Sequence, residues 1–228
     1  MHQSLTDLIS IETLDQDGAL RETAAAEGDT RAAFLRKAGI AGGSLLASGV
    51  VMGGLPSLAA ARPSRRQDVA ILNYALTLEY LEAAFYREAV RRGKFRGRIG
   101  AFAKLVAEHE AAHVKALKDV LGRAAVKSPK FDFADTTTDE AKFKATAFVL
   151  ENTGVAAYSG QAANIKQPAV IKAAVSILTV EARHAAGIAV LLGHVTGKEG
   201  ITPDGSFDVA KSKATILEAV GGTGFIVA

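Results

Sequence analysis

The sequence predicts an all-α protein built on a four-helix bundle, and three observations carry that expectation. Nearly half of the 228 residues are apolar, with Ala dominant and aromatics sparse, and Ala has the highest helix propensity of any residue. Four long stretches place apolar residues at helical spacing and are separated by Gly, Pro and capping residues. A pattern of acids, tyrosines and histidines also occurs twice. Glu79…Tyr86 precedes Glu110…His113, and Glu151…Tyr158 precedes Glu181…His184, with the first segments offset by 72 residues and the second by 71.

Taken in order, residues 1–30 hold seven acids and one base, and this acidic lead-in is expected to be disordered. Residues 31–61 carry Arg31, Arg36 and Lys37 and no acid, and the uncharged run Ala38 to Ala61 ends in three alanines. A basic flank, an apolar run and a small-residue end make an export signal. The run is long enough to span a bilayer, but its six Gly and one Pro make it only moderately apolar. The lead-in Thr30-Arg31-Ala32-Ala33-Phe34-Leu35-Arg36-Lys37 is similar to a twin-arginine signal, with Ala32 where the second Arg belongs. The general secretory route and an uncleaved anchor are the alternatives.

The folded domain is expected over residues 62–197, followed by a tail over 198–228. Ser64-Arg-Arg-Gln67 reads as a capping box opening helix one, which runs through Val69–Val90 and stops at Gly93. Helix two runs from about Ile99 to Leu121 and stops at Gly122. Thr137-Thr-Asp-Glu140 reads as a second capping box, opening helix three to about Ala163. Pro168 suits the first position of helix four, which is expected to end near Gly197. The links inside each helix pair are about five residues, so each pair is an antiparallel hairpin. The link from Arg123 to Thr136 spans about 46 Å when extended, against about 35 Å for a helix of this length. It can therefore run the length of the bundle and set helices two and three parallel. In the tail, a turn-rich loop at Ile201–Asp208 precedes a short helix near Val209–Val220, and the apolar end is expected to pack on the bundle.

The chain has no Cys, which excludes thiolate metal sites, iron–sulfur clusters, disulfides and Cys nucleophiles. Residues 62–228 carry a net charge of +6 with no basic run interleaved with aromatics, so there is no nucleic-acid footprint. The basic segment Arg91–Arg98 reads as a solvated turn rather than a phosphate site. Glu108 reads as solvated, and His109 and His194 as surface or rim residues without a partner in the repeat.

Residues three apart on a helix share a face. Glu110 and His113 can thus approach one metal ion, and so can Glu181 and His184. Glu79 and Glu151, from the other two helices, can supply bridging carboxylates. Four carboxylates balance two divalent ions, and burying them without metal would be costly. Helix one also offers Glu82, but at the repeat offset Glu79 falls on Glu151 and Glu82 on Gly154. Glu79 is therefore the chosen ligand, with Glu82 as an alternate or supporting carboxylate. Tyr86 and Tyr158 are expected to hydrogen-bond site carboxylates, in a tentative catalytic role of orienting them or passing electrons. With oxygen and nitrogen donors only, iron, manganese and zinc are the suitable metals.

These motifs resemble the ferritin-like superfamily, and most closely its exported branch that includes the desiccation-related proteins of plants and bacteria. The likeness rests on Leu78-Glu79-Tyr-Leu-Glu82-Ala-Ala-Phe-Tyr86, Glu110-Ala-Ala-His113, Leu150-Glu151-Asn-Thr-Gly-Val-Ala-Ala-Tyr158 and Val180-Glu181-Ala-Arg-His184, and covers about Asp68 to Val195. It implies a ferritin-like bundle of two hairpins with one long crossover, and a centre of two iron ions, or manganese, on Glu79, Glu110, His113, Glu151, Glu181 and His184. It leaves the reaction open. The leading expectation is an exported oxidoreductase, in the periplasm, envelope or medium, that reacts Fe(II) with O2 or peroxide under stress. The alternatives are a non-catalytic stress or envelope-binding bundle with structural or absent metal, and a manganese catalase-like protein. Export machinery is the one expected macromolecular partner, and a monomer or dimer is favoured over a cage.

Overall fold

A computed structural model describes residues 66–197 and 200–227. The acidic lead-in, the export signal, the Ser64 cap and the start of the domain at Arg62 lie outside the described residues. Helix α1 spans Arg66–Glu88 and continues into a π-helical turn, Ala89–Gly93. Helix α2 is Gly97–Leu121, α3 is Glu140–Ala162, α4 is Pro168–Leu192 and α5 is Lys213–Gly222. Two-residue strands, β1 (Lys130–Phe131) and β2 (Ile226–Val227), complete the elements.

Several boundaries differ from the sequence reading, each for a local reason. Gly93 closes the π-turn, but the left-handed residue that follows is Lys94, at φ 51°. Gly93 is needed for space instead: a Cβ there would lie 2.6 Å from the Thr137 carbonyl oxygen and from the Phe95 ring. Helix α3 is capped by Asp139, whose carboxylate accepts from the Lys142 amide, rather than by Thr137. Thr137 donates its hydroxyl hydrogen to Glu88 at 2.9 Å, fastening the approach to α3 onto the end of α1. Helix α4 begins at Pro168 as expected but ends at Leu192, five residues before Gly197. Gly193, at φ 81°, returns its amide to the carbonyls of Ala189 and Val190. Helix α5 starts at Lys213 behind a Ser212 cap, not at Val209.

The crossover establishes the topology. It leaves α2 through a 3-10 turn and then follows α1 in that helix's own direction. The Asn73 side chain brackets it, donating to the Ala124 carbonyl and accepting from the Val126 amide. Tyr80 donates to the Val126 carbonyl, and Glu88 meets Thr137 at the far end. The link therefore runs along α1 and delivers α3 to that helix's C-terminal end. Helix α3 then runs back against α1, which makes it parallel to α2. At the opposite end, the buried Asp68 carboxylate accepts from the amides of Lys166 and Gln167 and from the Gln167 side chain, so the α3–α4 turn is held to the start of α1. Helix α1 packs on α2 and α3, and α4 packs on the same two. This is the two-hairpin, one-crossover arrangement of a ferritin-like bundle.

The apolar core lies in two blocks with a polar layer between them. One block holds Leu81, Phe85, Tyr86, Val106, Phe133, Phe143 and Ile188; Phe85 and Phe143 stack at 5.4 Å. The other holds Leu72, Leu76, Leu117, Val120, Tyr158 and Ile177. On α1, α2 and α4, the glutamates and histidines of the repeated motifs fall between the two blocks.

The tail packs on the bundle only from Lys211 onward. The Lys211 amide donates to the Ala156 carbonyl, and a Cβ on Gly160 would lie 1.9 Å from the Lys211 carbonyl oxygen. Ile216 and Val220 enter the core, and β2 pairs antiparallel with β1 of the crossover. The loop before it is exposed, with Phe207 at 90% and Val209 at 73% accessibility. Length and apolarity alone would also qualify α4 as a membrane span. Its buried Glu181 and His184, and its packing on α2 and α3, mark it as a bundle helix.

Candidate metal centre

Each bundle helix delivers acids or imidazoles to the polar layer. Glu79 and Glu82 come from α1, Glu110 and His113 from α2, Glu151 from α3, and Glu181 and His184 from α4. All seven side chains are buried, and Glu79, Glu110, Glu151 and Glu181 have no accessible surface. The one-turn spacing in each Glu-x-x-His segment brings carboxylate and imidazole to the same face. His113 Nδ1 lies 3.2 Å from Glu110 Oε2, 3.2 Å from Glu79 Oε2 and 3.0 Å from Glu181 Oε1. His184 Nδ1 lies 3.1 Å from Glu110 Oε1, 3.3 Å from Glu151 Oε2 and 3.6 Å from Glu181 Oε2.

Two sets of donor atoms therefore converge, each within 4.8 Å: Glu79, Glu110, His113 and Glu181 in one, and Glu110, Glu151, Glu181 and His184 in the other. Glu110 and Glu181 belong to both. The sequence reading gave the bridging position to Glu79 and Glu151; in the structure Glu110 and Glu181 are the carboxylates common to both sets, and Glu79 and Glu151 each belong to one. The tyrosines orient these two. Tyr158 donates to Glu79 Oε1 at 2.5 Å, and Tyr86 donates to Glu151 Oε1. Each tyrosine thus occupies one oxygen of the glutamate on the opposite hairpin and leaves only Oε2 turned toward the histidine.

The site is electrostatically frustrated without cations. Burial, and then the charge of Glu181, pushes the Glu79 carboxyl well above its ordinary range. Burial raises Glu151 to about 8, against the pull of its contact with His184. Glu82 is raised well above the usual range by burial and by Glu181 and Glu151. Burial also opposes ionisation of Glu110, but the imidazoles of His113 and His184 beside it outweigh that and hold the carboxyl at about 2. Burial disfavours both imidazolium ions, yet the carboxylates around them prevail. His184 rises to about 12, and His113 is held far above its ordinary range by Glu110, Glu181 and Glu79. Protons here stand where stronger cations would serve.

Hydrogen bonding makes the same point. Glu79 Oε2, Glu110 Oε1, Glu151 Oε2, both Glu181 oxygens and His184 Nδ1 are buried without a hydrogen-bond partner. Buried polar atoms are rarely left unpaired; of the eight such atoms among the described residues, these six lie on residues of the two converging sets, and only Tyr74 Oη and His194 Nδ1 do not. The donor set is four carboxylates and two imidazoles, which suits iron or manganese. The residues present therefore fit a pair of metal ions. A ferritin-like domain model matches residues 67–194, more than half of the chain. The chain belongs to the ferritin-like domain family. No curated protein matches it.

Within this ferritin-like domain, Glu82 joins neither donor set. A Cβ placed on Gly154 would lie 3.4 Å from Glu82 Oε1 and 3.6 Å from Glu181 Oε2, so Gly154 leaves room for a fifth buried glutamate beside the centre. His194 sits edge-on to Phe148 at 5.5 Å, away from the site. His109 departs from the sequence reading. It is half-buried, its Nδ1 lies 2.9 Å from His184 Nε2, and the two rings stack at 5.2 Å. Burial first, and then His184, hold it below the ordinary histidine value. Reasoning from the repeat overlooked it because position 180, its counterpart, is Val.

Proposed function

We propose that this ferritin-like domain holds two iron ions and oxidises Fe(II) with O2 or peroxide as a stress-protective activity, with manganese as the alternative metal. The observation that carries the reading is that six of the eight orphaned buried atoms among the described residues lie on residues of two overlapping donor sets that share Glu110 and Glu181. Glu79, Glu110, Glu181 and His113 would hold one ion, and Glu110, Glu151, Glu181 and His184 the other. Bound iron would supply one-electron redox chemistry toward O2 or peroxide. The protein's own contribution is positional. Tyr86 and Tyr158 keep Glu151 and Glu79 single-oxygen donors, the two apolar blocks exclude bulk water, and the shared carboxylates keep the two positions adjacent. Residues 31–61 support work outside the cytoplasm, by a twin-arginine-like route that would carry a folded, metal-loaded domain as a monomer or dimer.

Elemental analysis of the purified domain, followed by O2 uptake on adding Fe(II), tests the reading. The expected result is two ions per chain and O2 consumption that disappears in the Glu110→Ala, Glu181→Ala double variant. Fewer than one ion per chain under iron-replete conditions overturns it. Full loading with no reaction toward O2 or peroxide would leave a structural metal in a non-catalytic bundle.

A further inference from the structure

The two halves of the centre match closely under the internal repeat, with one break beside the histidines. Glu110 corresponds to Glu181 and His113 to His184, but His109 corresponds to Val180. His109 Nδ1 lies 2.9 Å from His184 Nε2 with the rings stacked at an interplanar angle of 20°. Val180 has no polar side-chain atom to offer His113 in return.

The tautomer follows from geometry. His184 turns Nδ1 toward Glu110, Glu151 and Glu181. A ring that gives its Nδ1 lone pair to a metal must carry its hydrogen on Nε2, and the atom facing Nε2 is His109 Nδ1. His109 then accepts, with its own hydrogen on Nε2. An acceptor on the far nitrogen of a metal-bound imidazole fixes the ring plane and raises ligand basicity, and its loss typically lowers metal affinity by about 10–100-fold. Only one half of this centre has that support among the described residues.

We propose that His109 is a positioning residue for His184 and makes the two metal positions unequal, so that the Glu110, Glu151, Glu181 and His184 position fills before the Glu79, Glu110, Glu181 and His113 position. The inference rests on the metal reading above and concerns the order and strength of binding, not turnover.

Calorimetric and absorption titration of the metal-free protein with Co(II) tests it. The wild type is expected to bind in two resolved steps. His109→Val, which copies Val180, should weaken the tighter step about 10–100-fold and bring the two steps together. His109→Asn offers an acceptor near the place of Nδ1 and should restore the separation, which a merely space-filling role would not do. Circular dichroism and thermal melting of the metal-free variants confirm that each is folded. If His109→Val leaves both steps unchanged or weakens them equally, or if His109→Asn fails to restore the tighter step, the inference is wrong and the metal reading survives. A wild-type protein that binds no Co(II) overturns both.

Discussion

Loading the centre with two divalent ions should expel about three protons at pH 7. In the metal-free protein His113 and His184 are held as imidazolium ions, and burial keeps Glu151 largely a carboxylic acid. All three must lose a proton to ligate, whereas Glu110 is already ionised. The sign follows directly: protons compete with metal, so affinity rises with pH. Over pH 6–7 the two-ion binding constant should climb by about three decades per unit, close to 4.1 kcal/mol at 1.36 kcal/mol per proton per unit. The slope should ease near pH 8, where Glu151 begins to ionise unaided. Calorimetry with Zn(II) in two buffers of different ionisation enthalpy counts the protons, and competition with a chelator at several pH values gives the slope. Release of one proton or fewer, or a flat affinity over pH 6–7, would refute the argument. The carboxylates would then be ionised before metal arrives, and the frustration described above would not exist.

Metal itself should stabilise the fold. At a free concentration 100 times the dissociation constant each ion adds about 2.7 kcal/mol, worth roughly 5–10 °C in Tm for a domain of this size, and thermal melts with and without chelator check it. Tyr158→Phe removes the donor to Glu79 Oε1 and leaves a buried oxygen unpaired, which should cost about 1–3 kcal/mol in urea unfolding; no loss would mean that the oxygen finds another partner. Gly160→Ala drives a methyl group into the Lys211 carbonyl oxygen and should release the tail, seen as faster proteolysis within residues 201–212 at little cost to the bundle. Asp68→Ala removes the acceptor of two part-buried amides in the α3–α4 turn and should cost about 1–3 kcal/mol, measured by chemical denaturation against Asp68→Asn.

The sequence made the bundle readable because its periodicity and its stops are local signals. Pro168 opens α4 and Gly122 follows α2 for reasons contained within a few residues. The repeat also separated Glu79 from Glu82, which the structure places inside and outside the converging donor sets. What stayed hidden was long-range. Which carboxylates are shared depends on how far each helix face projects into the layer, and one-turn spacing does not report that. Asp68 serves a turn about a hundred residues away, and β1 and β2 are two residues each, too short to show alternation. His109 escaped notice because repeat logic rewards what is duplicated, and this contact exists in one half only.

The crossed pattern of ligands has a consequence for assembly. The α1–α2 hairpin carries Glu79, Glu110 and His113, and the α3–α4 hairpin carries Glu151, Glu181 and His184. Neither holds a complete donor set, because each set borrows a glutamate from the other hairpin. The tyrosine bonds cross in the same way. Each ion, once bound, would therefore cross-link segments far apart in the chain, closing a loop whose ends would otherwise be costly to hold together. A hairpin formed early exposes acids that only its counterpart can cover. A complete donor set would then exist only once the two hairpins have docked.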